Sequence, residues 1–296
     1  MKDLLLITPP FTQLNTPYPA TVYLKGFLNT KNISSYQIDL GIEVILEIFS
    51  KKGVTEIFNV KPKNLSENAQ RIFALKEEYI KNIDEVIAFL QNKKPTLARQ
   101  ICSMNFLPEA SRFNQLDDME YAFGNMGLQD KAKHLATLYL EDLSDYIVEN
   151  IDENFGFSRY AERLGRSANS FDELYEKLQS EKTFVDNFTL EILDKNLLES
   201  QPKLVCFSVP FPGNLYSAFR CAQHIKNHYP NIKTAFGGGF ANTELRDLKD
   251  KRVFEFFDFI TLDDGELPIE LLFENVCHSE QSEESLFKRT FLLENG

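Results

Sequence analysis

The chain has 296 residues, 43% of them hydrophobic, 26% charged and 12% aromatic, which is enough apolar material for one large core or two modest ones and excludes disorder or a disulfide scaffold. Its net charge of −12 comes from 44 acidic and 32 basic residues with no local run of Lys and Arg, so a phosphate backbone is repelled and nucleic acid is not an expected partner. Phe occurs 26 times and Trp not at all, so the aromatic load is packing mass that needs no hydrogen-bond partner.

In chain order, Leu4-Leu5-Leu6-Ile7 reads as a buried strand closed by Thr8-Pro9-Pro10. That apolar run is too short for a signal-peptide core, and no run approaches membrane-spanning length, so a cytoplasmic chain with no membrane partner is expected. A Pro-, Thr- and Asn-rich loop leads into a helix over Ala20–Asn29. Ser35–Leu40 suits a second strand, and Gly41 opens a helix with apolar residues at Ile42, Ile45, Leu46 and Phe49. This is the start of a parallel sheet with crossover helices.

From about Leu65 to Ser200 the pattern turns helical. Ile72, Phe73, Leu75, Tyr79, Ile80, Ile83, Val86, Ile87 and Leu90 recur at three- and four-residue steps, which predicts one long amphipathic helix. Leu135–Ile151 repeats the signature, and shorter helices fit Leu97–Leu107, Phe171–Gln179 and Phe184–Leu198.

The strands return with Leu204–Val209, which ends at Pro210-Phe211-Pro212-Gly213-Asn214 before a helix running to about Tyr229. Lys233–Phe236 runs into Gly237-Gly238-Gly239, a helix follows from near Thr243, and Phe257–Leu262 is the next strand. Asp263-Asp264-Gly265-Glu266 turns into a last helix over Leu267–Val276. The expected fold is α/β: a doubly wound five-stranded parallel sheet (Rossmann-like) interrupted by a large all-helical insertion. The expected boundaries are 1–62 and 201–277 for the two parts of the α/β domain and 63–200 for the insertion. The alternative is two separate α/β lobes flanking a helical hinge. After a polar linker, Phe287–Leu293 reads as a strand ending in Glu294-Asn295-Gly296, a hairpin-turn signal, so 278–296 is read as a linker and the start of a following domain.

Ligands of open parallel sheets sit at the carboxyl ends of the strands. The five ends here are Thr8-Pro9-Pro10, Asp39-Leu40-Gly41, Ser208-Val209-Pro210, Gly237-Gly238-Gly239 and Asp263-Asp264-Gly265-Glu266, all rich in Pro, Gly or small polar residues. Three glycines after a strand permit close approach of a flat or phosphate-bearing ligand and leave amides free to donate or, equally, make a tight turn that packs a helix on the sheet. They match neither a dinucleotide fingerprint, since Asn242 stands at its sixth position, nor a P-loop. Ser208 lacks a nucleophile elbow. Asp39 suits a helix cap, and Asp263, Asp264 and Glu266 put negative charge at a helix N-terminus, where the dipole favours it. Cys102, Cys206, Cys221 and Cys277 have no ligand spacing, and His224 and His228 lie four apart on one helix without further ligands.

Thr8-Pro9-Pro10 at the first strand end, Ser208 on the third strand, Gly237-Gly238 after the fourth and the Asp258–Glu266 ending resemble the cobalamin-binding N-terminal domain of radical-SAM proteins. The resemblance covers Met1–Lys61 and Leu204–Val276. It implies cobalamin at the carboxyl edge of the sheet, with Ser208, Gly237, Gly238 and Gly239 at the lower face and tail. Pro9, Pro10, Asp39, Gly41, Pro210 and Asn214 would shape the pocket, and Gly265 and Glu266 would open the last helix. The family's DxHxxG motif falls on Asp39–Val44, so Gly41 replaces the axial His and binding would be base-off. The CxxxCxxC that would hold a [4Fe-4S] cluster is missing, so the cluster and S-adenosylmethionine would belong to a radical-SAM domain, following in the same polypeptide or on a separate chain. The chain alone reads as non-catalytic. The alternative reading is a degenerate domain that binds no cobalamin and serves as a structural or partner-interaction module.

Overall fold

The computed structural model describes residues 3–14, 17–62, 64–103, 106–118, 127–166, 170–277 and 287–293. They form two compact units, Met1–Val44 with Phe157–Gly296, and Ile45–Gly156. Among the described residues no helix is long and apolar enough to cross a membrane.

The first unit holds one six-stranded sheet: β1 (Leu4–Thr8), β2 (Ser35–Asp39), β3 (Leu204–Ser208), β4 (Lys233–Gly237), β5 (Phe259–Thr261) and β6 (Thr290–Phe291), in the order β2-β1-β3-β4-β5-β6. The first five run parallel, and β1 pairs with β2 on one side and β3 on the other. Strands from both ends of the chain therefore share one sheet, which removes the two-lobe alternative. The sixth strand is an addition to the expected five. It pairs antiparallel with β5, Ile260 opposite Phe291 and Thr261 opposite Thr290, so the tail strand joins this sheet.

Alternation along the strands explains the layering. Leu4, Leu6, Leu204 and Ala235 face one side and pack with Leu28 of the Ala20–Thr30 helix and with Ile269 and Leu272 of the Glu266–Cys277 helix. Phe207 and Phe236 face the other side and meet Phe257 at 5.8 and 5.1 Å between ring centres. Phe219 of the Leu215–His228 helix closes that cluster at 5.0 Å from Phe257. Both faces of β1 are covered, which is why it reads as an unbroken apolar run.

The helices Asp172–Gln179 and Phe184–Ser200 belong to the sheet unit, whereas the sequence pattern places them in the insertion. A buried polar knot ties them to the Leu215–His228 helix. Arg220 Nε lies 3.0 Å from Asp186 Oδ2, with the two side chains 3% and 2% exposed. Tyr216 donates its hydroxyl to the same carboxylate at 2.7 Å, and the Arg220 guanidinium donates to the Leu178 and Lys177 carbonyls at 2.9 and 3.1 Å.

The second unit is helical in its described residues. The long helix expected around Ile72–Leu90 is two, Glu67–Ala74 and Lys76–Leu90. The break falls at Leu75, whose ψ of 13° leaves the helical range while its N–H still bonds to Arg71 and Ile72. Within the helix expected over Leu97–Leu107 the described residues form a single turn, Ala98–Ile101, after a 3-10 turn; 104–105 lie outside the described residues. Tyr79 and Tyr139 stack at 4.9 Å in the core. Asp142 of the Gly127–Asn150 helix is fully buried beside them. It accepts the amides of Ala110 and Arg112, each at 3.1 Å, and the Tyr79 hydroxyl at 3.4 Å.

Burial pushes the Asp142 carboxyl up to about 6, against the pull of those donors. The native state thus holds this proton more tightly than the unfolded chain. The associated stabilisation is fully present below about pH 4 and lost as pH rises through about 6, an effect of roughly 2–3 kcal/mol. Urea midpoints between pH 4 and 7 should show this component in the native chain and not in Asp142→Ala. Parallel pH profiles for the two proteins would refute it.

Candidate functional site

A cavity of about 500 Å³ opens at the carboxyl ends of β3, β4 and β5. One wall is the sheet, with Leu6, Cys206, Ser208 and Ala235; the others are the Ala20–Thr30 and Glu266–Cys277 helices. Of the residues singled out from sequence, the fold brings together Ser208, Gly237, Gly238, Gly239, Gly265 and Glu266 around this space.

The glycines have packing reasons of their own. A Cβ on Gly237 would lie 2.5 Å from Thr261 Oγ1, one on Gly238 2.8 Å from both N and O of Val209, and one on Gly239 2.9 Å from the Pro210 carbonyl. Gly238 also adopts φ +101° as the residue before the Gly239–Glu244 helix. That helix begins inside the glycine run, four residues earlier than the expected start near Thr243. The tight-turn role is therefore present, and the same turn forms the cavity wall.

Ser208 is 6% exposed and lines the cavity. Its hydroxyl makes no hydrogen bond to any described residue, whereas Thr21 shares one with Thr8 at 3.3 Å and Thr261 donates to the Phe236 carbonyl at 3.3 Å.

The mouth is acidic. Asp263, Asp264 and Glu266 line it, and no Lys, Arg or His does among the described residues. Glu266 accepts from the Tyr23 hydroxyl and holds that phenol above its ordinary value. Asp263 sits at φ +62°, fixed by Asn242, whose Oδ1 accepts the Asp263 amide at 2.5 Å. Arg246 pairs with the Asp263 carboxylate, and Arg289 from the tail approaches it at 3.7 Å. Charge at a helix N-terminus is thus only part of what these acids do.

The other predicted site residues stand elsewhere. Pro9, Pro10 and Gly41 are buried, and Asn214 is fully buried and donates to the Pro9 carbonyl at 2.8 Å. A Cβ on Gly41 would lie 3.3 Å from Asp39 Oδ1 and 3.5 Å from Pro10 Cα. Asp39 accepts the Ile42 amide at 3.1 Å and so caps the helix that follows; burial raises its carboxyl above the ordinary value. Pro210 is buried against Gly239. These six residues pack the ends of β1, β2 and β3 and do not line the cavity.

Sequence reasoning missed the helix-borne wall: Thr21, Leu24, Ile269 and Leu272, with Tyr18 and Tyr23 nearer the mouth. The available signal was the i, i+3 spacing of Thr21 with Leu24 and of Ile269 with Leu272, which puts each pair on one helix face. Cys206 lines the cavity, and burial pushes its thiol far up, which suits a packing role. His224 is buried, 2.7 Å from Asp194, and burial lowers its pKa.

Comparison with family models, with curated proteins and with solved structures gives no match to this chain. The site must therefore be read from its own chemistry.

Proposed function

We propose that the sheet unit is a cobalamin-binding module of a radical-SAM protein. In this reading β2-β1-β3-β4-β5 is a doubly wound, Rossmann-like sheet whose order reverses between β1 and β3; the cavity lies to one side of that reversal, at the ends of β3, β4 and β5. The observation that carries it is the convergence of Ser208, Gly237, Gly238 and Gly265-Glu266, from three separate strand ends, on one cavity that Leu6, Ala235, Ile269 and Leu272 also line.

An acidic mouth without a lining cation disfavours a ligand that carries several phosphates; cobalamin carries one phosphodiester in its tail and otherwise neutral amide side chains, so it meets the smaller penalty. Ser208 would offer its uncommitted hydroxyl, the Gly237–Gly239 backbone would let a flat group approach closely, and Gly265 and Glu266 would border the entrance. Gly41 supplies no imidazole, and none of the described histidines lines the cavity, so the chain would hold the cofactor base-off. The cofactor would supply a cobalt centre for methyl transfer or a radical rearrangement. The cluster and S-adenosylmethionine would come from a partner domain.

The purified chain titrated with hydroxocobalamin should show a saturable change in the visible spectrum and keep its colour through gel filtration. No spectral change and no retained colour would sink the reading. They would favour the interaction module, for which exposed Val22 (57%), Tyr23 (63%) and Leu267 (40%) supply an apolar surface.

A further inference from the structure

We propose that a second cavity, on the Phe219 side of the sheet, binds a small organic cation: an ammonium group carried on an aromatic or aliphatic body. The proposal is independent of the cobalamin reading, because the two cavities share no lining residue.

This cavity measures about 430 Å³, a size that takes a small ligand. It is bounded by the Asp172–Gln179, Leu215–His228 and Gly239–Glu244 helices and by the 245–253 segment. Its floor is apolar, with Leu174, Phe219, Phe240 and Val253 buried and Phe171 and Leu248 only half-buried. The Phe171 and Phe219 ring centres lie 5.3 Å apart. Half-buried apolar side chains beside a cavity gain by burying further apolar surface, which an aromatic or aliphatic body supplies.

The rim decides the charge of the guest. Asp172, Glu244, Asp247 and Asp250 stand there against Lys249 and Arg252. Arg252 is already committed. Its guanidinium pairs with Asp172 at 2.7 Å and with Asp250 at 2.6 Å, and it lies over the Phe171 and Tyr175 rings at 5.5 and 5.0 Å. The chain thus already holds one cation here between carboxylates and aromatic faces. Glu244 and Asp247 are exposed, and neither makes an ion pair or a side-chain hydrogen bond with a described residue. Lys249 is exposed and equally uncommitted, so two carboxylates outweigh one ammonium. The chain's net charge of −12 adds a field that attracts cations and repels anions. A guest would lay its apolar body on the floor and leave its charged head at the rim, beside Glu244 and Asp247.

Ligand-observed NMR titrations of the full chain with phenethylamine, phenethyl alcohol and phenylacetate test this, since the three share one ring and differ in charge. The amine is expected to bind about fivefold more tightly than the alcohol, and phenylacetate more weakly than either. The double variant Glu244→Gln with Asp247→Asn, both at exposed positions, should remove the preference for the amine and leave the affinity for the alcohol unchanged. Asp264→Asn, at the mouth of the first cavity, should leave the amine affinity as it is. Equal affinity for amine and alcohol, tighter binding of phenylacetate, or no saturable binding of the amine overturns the inference. So does a preference that survives the double variant, and so does one that Asp264→Asn removes, which would place the amine at the other mouth.

Discussion

Arg220→Ala is expected to destabilise the sheet unit by about 3–5 kcal/mol, the range for removing one partner of a buried ion pair. The Arg220 and Asp186 side chains are 3% and 2% exposed, so water cannot take over the lost contacts. The substitution would leave the Asp186 carboxylate without its cation and take one donor from the carbonyls of Lys177 and Leu178, which keep Ser180 and Gln223 respectively. Asp186 keeps the Tyr216 hydroxyl at 2.7 Å and the Thr183 amide at 3.1 Å, and these soften the loss without neutralising the charge. Arg220→Lys should fall in between, because one ammonium cannot span both carbonyls and the carboxylate as the planar fork does. The double variant Arg220→Met with Asp186→Leu should recover much of the loss, since removing both charges removes the buried unpaired group. Urea unfolding measures all three. A loss below about 1 kcal/mol for Arg220→Ala would show that the knot is solvated and does not tie the three helices.

The same knot marks where the sequence stops being legible. Strands β1, β3 and β4 are readable because both their faces are covered, so burial is written as continuous apolar runs. The Arg220–Asp186 pair lies 34 positions apart on two helices, and nothing in helical periodicity joins one charge to another. The helix Phe184–Ser200 was therefore predicted correctly as an element and assigned to the wrong neighbour. At the break in the 67–90 stretch the apolar rhythm continues across Leu75, and only the backbone there departs from helix. The Lys51–Asn59 helix escaped because its start rests on a Ser50 cap and on Gly53, whose Cβ would lie 2.3 Å from the Glu47 carbonyl, neither of which is a periodic signal. For the site, richness in Pro and Gly at strand ends was the guide, and it treats five ends alike. At β1 and β2 those residues make room for the Asn214 amide and the Asp39 cap. At β3, β4 and β5 they border open space. Local sequence does not distinguish a glycine that admits a neighbour from one that admits a ligand.

Gly238 does the first and bounds the second, so Gly238→Ala should be the most damaging change in the glycine run. Its φ of +101° and ψ of −170° lie in a region that essentially only glycine occupies, at a cost of about 1–3 kcal/mol for other residues. A methyl there would also lie 2.8 Å from both Val209 N and Val209 O. Those two atoms are already committed, the amide to the Gly237 carbonyl at 2.8 Å and the carbonyl to the Phe240 amide at 3.0 Å. Backbone must therefore move, and the hydrogen bonds joining the β3 and β4 ends must stretch. Strain and clash together should cost about 3–4 kcal/mol. Gly239→Ala meets one carbonyl, that of Pro210 at 2.9 Å, and should cost less. Gly237→Ala meets the Thr261 hydroxyl at 2.5 Å, the end of a side chain that can rotate away from a 3.3 Å bond, and should cost least. Thermal unfolding of the three variants should give the order 238, 239, 237. On the proposed cobalamin reading, the folded fraction of Gly238→Ala should bind hydroxocobalamin at least tenfold more weakly than the native chain, because the wall beside Ser208 shifts with the turn. A Gly238→Ala protein as stable as Gly237→Ala would mean that the turn relaxes freely and that the cavity wall is not held by it.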